Sequence, residues 1–242
     1  MTSAVIGKGV KITFYGQSAF QLAGAGSKVL IDPWLDNPLL QTPISKLGAV
    51  QLILVTHAHA DHLGNTIEIA QQTGATVVAI HELAYYLAGK GVAQVIGMNK
   101  GGTCSAAGVK VTMTQALHSS SLEESGQLLP AGDPAGFVVE FNNGFRAYHA
   151  GDTAVFKDME LIRELYRPEV AMLPIGSHYV MSPAEAAVAC RMLQPKFVIP
   201  MHYGTFPVLT GTPEELGSLL KDQPDVQLVV LKLLSETDPG FE

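Results

Sequence analysis

Seven consecutive residues, Thr56-His57-Ala58-His59-Ala60-Asp61-His62, constrain this chain more than any other stretch. They follow directly on the apolar run 50–55, which reads as a buried strand, so imidazoles and a carboxylate are delivered to the rim of a hydrophobic core. Alternate residues of extended backbone point to the same side, so His57 and His59 can bind one ion together while Asp61 and His62 turn toward a neighbouring point. Two donor pairs imply two metal ions. Clustering so many imidazoles without a cation would leave their donors and acceptors uncompensated. Imidazole with carboxylate favours zinc or another borderline divalent ion, with manganese and iron as the other candidates.

The rest of the chain must supply a scaffold and the remaining ligands. With 242 residues and 47% hydrophobic content it can bury a large core, as one compact domain or two fused halves. Fifteen basic against 22 acidic residues give a formal charge of −7, and no basic patch offsets it, which argues against a nucleic-acid partner. Cys104 and Cys190 stand alone, in no metal-ligand spacing, and read as reduced thiols of a cytoplasmic protein. The first residues lack the pattern of a signal peptide and no apolar run reaches transmembrane length, so the expectation is a soluble, unexported protein.

Glycine turns and β-rich runs predict strands over 11–15, 19–22 and 28–31, followed by a loop carrying Leu39, Leu40 and Ile44. After the histidine motif, strand and helix alternate: helix 63–72, strand 75–80, helix 81–88 and strand 93–98. A long strand, 109–117, runs into His118, and residues 118–136 read as a functional loop on the rim of a pocket. A hairpin across Asn142-Asn143-Gly144 leads to Asp152. Helix 155–166, strand 170–173, a helix opened by the capping box Ser182-Pro183-Ala184-Glu185, and strand 197–200 lead to His202. A second box at Thr212 opens a helix to residue 220, and 226–234 make the last strand. His118, Asp152 and His202 each stand where a strand has just ended, which is where a sheet scaffold brings distant ligands together.

The string His-Ala-His-Ala-Asp-His resembles the signature of the metallo-β-lactamase superfamily at all four of its fixed positions. Gly16-Gln17-Ser18-Ala19-Phe20, Ile31-Asp32-Pro33-Trp34, Tyr148-His149-Ala150-Gly151-Asp152-Thr153, Pro174-Ile175-Gly176 and Met201-His202-Tyr203-Gly204-Thr205-Phe206-Pro207 resemble the blocks of the bacterial UPF0173 metal-dependent hydrolases. Those are relatives of ascorbate-phosphate lactonase and of the N-acyl-phosphatidylethanolamine phospholipase D branch. The resemblance implies a four-layer αββα sandwich with mixed sheets. It would be a single domain, 1–242, of two pseudo-symmetric halves, about 1–108 and 109–242. It also implies that His57, His59 and His118 hold a first metal, that Asp61, His62 and His202 hold a second, and that Asp152 bridges them. One position departs from the family, which usually has His where this chain has Gln17, a side chain that cannot carry a proton at neutral pH.

Two cations about 3.5 to 4 Å apart sharing one water would lower its pKa toward about 7 and make hydroxide the nucleophile. The expected activity is hydrolysis of a small-molecule ester, lactone, thioester or phosphoester, with Asp61, Asp152 and His178 as candidate catalytic side chains. His178 follows the strand between those leading to Asp152 and His202, and its imidazole is free of the metals. His149 reads as a partner that orients a ligand, or as a core histidine. The alternatives are a di-iron redox protein on the same fold, which resembling sequences would mark by Glu at position 59, and a metal-dependent phosphodiesterase or nuclease. Apolar residues such as Leu39, Leu40, Leu128 and Leu129 fit a substrate pocket or a homo-oligomer interface equally.

Overall fold

Short β-rich runs separated by turns at Gly7-Lys8-Gly9, Gln17-Ser18 and Ala25-Gly26 build the first sheet of this computed structural model, which describes residues 3–231 and 233. β1 (Ser3–Ile6), β2 (Val10–Gly16), β3 (Ala19–Gly24) and β4 (Ser27–Ile31) form an antiparallel meander. A small ribbon, β5 (Asp36–Asn37) with β6 (Leu40–Gln41), fills the loop that follows. β7 (Leu52–Leu54), β8 (Thr76–Ile80) and β9 (Val95–Met98) then add in parallel beside β4. The connecting helices are α1 (Ala60–Leu63), α2 (Thr66–Thr73) and α3 (His81–Gly89).

The second sheet repeats this plan. β10 (Thr103–Ala106) and β11 (Val109–Gln115) are followed by a ribbon of β12 (Ser121–Glu124) and β13 (Gln127–Pro130), and then by β14 (Ala135–Phe141) and β15 (Arg146–His149). β10, β11, β14 and β15 are antiparallel neighbours. Helix α4 (Met159–Tyr166), β16 (Val170–Pro174), α5 (Pro183–Leu193), β17 (Phe197–Met201), α6 (Pro213–Leu219) and β18 (Gln227–Leu228) complete it, with β15, β16, β17 and β18 parallel.

Side-chain alternation along the second sheet shows how the layers stack. Phe137, Val139, Ala147, Met172 and Ile199 join one core with Ile12, Phe20, Leu30 and Ile53 of the first sheet. Val138, Tyr148, Ala171, Leu173 and Val198 face the other way, onto Ile162 of α4, Cys190 of α5 and Leu216 of α6. With α2 and α3 packed on β8 and β9, the result is the expected αββα sandwich with mixed sheets. The Ser182 capping box forms in both directions, and Thr212 accepts from the Glu215 amide; such caps contribute about 1 kcal/mol each.

Several elements differ from the sequence reading. Residues 118–136 contain the β12–β13 ribbon, whose polar, glycine-centred sequence carries no hydrophobic period and takes its strand form from pairing. β1 and β10 were likewise not legible, being edge strands with little burial. The expected helix 63–72 is two helices, because Gly64 (φ +41°) breaks it so that Asn65 can bond the loop 33–36. The expected helix 155–166 starts only at Met159. Of the expected strand 226–234 only Gln227–Leu228 is paired, and positions 232 and 234 lie outside the described residues.

Candidate metal centre

Strand direction gathers the site. β2 and β4 are each antiparallel to β3, and β7 is parallel to β4, so the three end on the same edge of the first sheet and release Gln17, Asp32 and residues 56–62 there. β11 and β15 are each antiparallel to β14, and β16 and β17 run parallel to β15, so His118, Asp152 and His202 leave one edge of the second sheet. The two edges meet.

Their donor atoms converge in three overlapping triplets, each within 4.8 Å: His57, His59 and His118; His57, His62 and Asp152; and Asp61, His62 and His202. His57 Nε2 lies 3.0 Å from His59 Nδ1. Asp61 Oδ2 is 3.5 Å from His62 Nε2 and 3.6 Å from His202 Nε2. Asp152 Oδ2 approaches imidazoles of both outer triplets, at 2.9 Å from His202 Nε2, 3.2 Å from His62 Nε2 and 3.7 Å from His118 Nε2. Asp61 and His62 reach this point from the first turn of α1, not from extended backbone.

Residues not singled out as ligands fix the direction of the donors. Asp32, fully buried, accepts the Thr56 hydroxyl at 2.6 Å and the Thr56 amide at 2.8 Å. With its proton given to Asp32, the Thr56 oxygen can only accept from His57 Nδ1, 3.0 Å away, which leaves the His57 Nε2 lone pair facing the cluster. His62 Nδ1 donates to Asp32 Oδ2 at 2.7 Å, with the same consequence for its Nε2. Gln17 Nε2 donates to Asp61 Oδ2 at 2.8 Å, and the Gln17 carbonyl accepts from the His202 amide at 2.7 Å. His149 donates through Nε2 to the Ser18 carbonyl and accepts the Gly151 amide at Nδ1, which pins the turn before Asp152 and leaves its ring outside the donor triplets. Gln17, Asp32 and His202 all have left-handed backbone (φ +50°, +46° and +56°), which places strained positions directly beside the donors.

The charges suit a cation. Burial would raise the Asp152 carboxyl, but His202 and His62 outweigh it and hold the group well below the carboxylate range. Burial likewise opposes ionisation of Asp61, and His62 and His202 again prevail. His62 is pushed well above the ordinary histidine value, since Asp152, Asp61 and Asp32 overcome the effect of its burial, so in the absence of a cation a proton occupies the Nε2 position that faces Asp61 and Asp152. His57, His59 and His118 are all lowered, chiefly by burial, and keep neutral rings with free lone pairs. Despite the short approaches, His62 Nε2 and Asp152 Oδ1 have no hydrogen-bond partner among the described residues. Orphaned buried donor atoms, neutral imidazoles and surplus carboxylate fit divalent metal ions.

A cleft of about 430 Å³ opens over the donors and is lined in addition by Trp34, Ser119, Tyr179 and Phe206. Leu39, Leu40, Leu128 and Leu129 are not among its lining residues; Leu40 is buried, and Leu128 stands exposed on the β12–β13 ribbon. The structure also leaves His178 out of the cluster. A tight turn closed by the Val180 amide on the Ser177 carbonyl puts His178 at its exposed tip, edge-on to the Tyr179 ring at 4.5 Å. Sequence analysis does not mark Trp34 and Phe206 as pocket residues, although a lone tryptophan in a Pro-flanked loop just past a strand is a usable signal.

The family model described as "Beta-lactamase superfamily domain" matches residues 27–203. A UPF0173 metal-dependent hydrolase of Rubrobacter xylanophilus is 53% identical over 210 residues, covering 86% of this chain and 87% of that protein. Among solved structures, Igni18, a metallo hydrolase from the archaeon Ignicoccus hospitalis, superposes with a TM-score of 0.84 at 38% identity, over 93% of this chain and 96% of its own. CmlA, a diiron beta-hydroxylase from Streptomyces venezuelae, shares the fold alone, with a TM-score of 0.68 at 14% identity over 92% of this chain and 53% of its own.

Proposed function

This chain belongs to the UPF0173 metal-dependent hydrolases of the β-lactamase superfamily, and from that premise we propose that it cleaves a small ester, lactone, thioester or phosphoester at a centre of two divalent metal ions. His57, His59 and His118 would hold one ion and Asp61, His62 and His202 the other, with Asp152 available to both. The observation that carries this reading is the Asp152 carboxylate, within 3.7 Å of imidazoles from both outer triplets and with its second oxygen unpartnered. Zinc suits a set of five imidazoles and two carboxylates best, and His at position 59 favours hydrolysis over di-iron redox chemistry.

When bound, two such ions supply a water of lowered pKa as nucleophile and a Lewis acid for the oxygen that gains charge. The chain's own residues do the positioning. Asp32 holds the His57 and His62 rings in the tautomer that presents Nε2, and Gln17 holds Asp61.

Two sheets of the same topology support reading 1–242 as one domain of two halves. The substrate is a small molecule rather than nucleic acid, in keeping with the charge of −7. Among the described residues no helix is long and apolar enough to cross a membrane, and the two free cysteines fit the cytoplasm. Elemental analysis of protein purified without chelator, combined with a panel of lactones, thioesters, esters and phosphodiesters, tests the proposal. Two equivalents of metal and metal-dependent turnover are expected; one equivalent, or turnover that survives complete metal removal, overturns it.

A further inference from the structure

The cleft over the donors has an aromatic wall. The rings of Trp34 and Phe206 lie near-parallel, 24° apart with centroids at 6.1 Å, and Tyr179 adds a third ring. Trp34 leaves the end of β4 and Phe206 the end of β17, so each sheet contributes one face. The wall is also rigid. Gly64 packs so tightly beneath it that a Cβ there would lie 2.5 Å from the Trp34 Cα. The Trp34 carbonyl accepts from Asn37 Nδ2 at 2.9 Å, and the Pro33 carbonyl accepts from the Asn65 amide at 2.9 Å. A surface held in place in this way costs little to order when a ligand arrives.

The lining contains no lysine or arginine; its ionisable groups are the metal-centre donors and Tyr179. A negative charge on the part of the substrate that is not attacked would therefore be pressed against aromatic faces without a partner, which is costly. A positive charge would gain from the rings, but it would find no free carboxylate, because Asp61 and Asp152 are both turned to the donor imidazoles. We propose that the non-reacting part of the substrate is uncharged and apolar, and that it lies flat against Trp34 and Phe206. This rests on the hydrolase reading above and adds the class of substrate to it.

Trp34 is the chain's single tryptophan, so its fluorescence reports on this wall and on nothing else. Three ketones that cannot be hydrolysed and differ only at the end remote from the carbonyl are titrated into the metal-loaded protein. They are acetophenone, 4-acetylbenzenesulfonate and 4-acetyl-N,N,N-trimethylanilinium. Acetophenone is expected to quench saturably, both charged analogues to bind at least about tenfold more weakly, and Phe206→Ala to weaken acetophenone by about three- to tenfold. A charged analogue binding as tightly as acetophenone, or no saturable quenching by any of the three, overturns the proposal. Turnover of esters, lactones and thioesters by the same preparation separates the two claims. Charge-selective quenching without any turnover keeps the wall and removes the hydrolase reading, whereas turnover with equal binding of the three ketones removes the wall and keeps the hydrolase.

Discussion

Replacing Gln17 by leucine should weaken the second metal equivalent and leave the first untouched. Gln17 is 1% exposed, and its amide donates at 2.8 Å to a carboxylate, which can only accept, so the orientation of the amide is fixed. A hydrogen bond to a charged group contributes about 1.5 to 3 kcal/mol. At ~1.4 kcal/mol per factor of ten this corresponds to about 10- to 100-fold in affinity, the range found when partners that orient a ligand are removed. Leucine has nearly the volume of glutamine and keeps the backbone carbonyl that holds the His202 amide, so the loss is confined to Asp61. Gln17→His restores a donor at this position and should recover most of the affinity, whereas Gln17→Glu sets a second carboxylate against Asp61 and should be worse than leucine. Stepwise competition with a chromophoric chelator resolves the two equivalents, and circular dichroism checks the fold. Unchanged affinity for the second equivalent in a folded Gln17→Leu protein would refute the reasoning, as would an equal loss of both equivalents.

Asp152→Ala removes the carboxylate between the two triplets, so metal content should fall toward one equivalent and turnover to near background; elemental analysis of a fully active variant showing two equivalents contradicts this. Gly64→Ala places a methyl group 2.5 Å from the Trp34 backbone at a positive φ, so thermal unfolding should show a loss of about 2 kcal/mol or more and Trp34 emission should shift; an unchanged melting temperature and spectrum would count against the packing described. Burial pushes the Cys190 thiol up to about 12, so at pH 8 a thiol reagent should leave it unmodified in the native protein and reach Cys104 alone, slowly, with both reacting after denaturation. Rapid labelling of two thiols in the folded state is the contrary result.

The metal motif, the alternation of strands and helices and the strand-end residues His118, Asp152 and His202 that join the donor cluster are legible in the sequence because each is a local signal. A buried strand announces itself by its apolar run, and a ligand by its chemistry at the end of one. Edge strands and the β12–β13 ribbon carry too little burial to leave such a signal, and their form comes from a neighbouring strand.

What the sequence by itself determined was which side chains are candidates for the chemistry. Tertiary structure alone decided how they are held, because the partners lie far apart in the chain: Asp32 is 30 residues from His62, and Gln17 is 44 from Asp61. Those contacts exist because β2, β4 and β7 end together on one edge, an outcome of sheet order that no local pattern encodes. The same holds for the wall of Trp34 and Phe206, which needs both sheets, and for the tight turn that leaves His178 exposed and outside the donor triplets. Burial and hydrogen bonding depend on the neighbours a side chain meets, and those are fixed only when the two sheets pack.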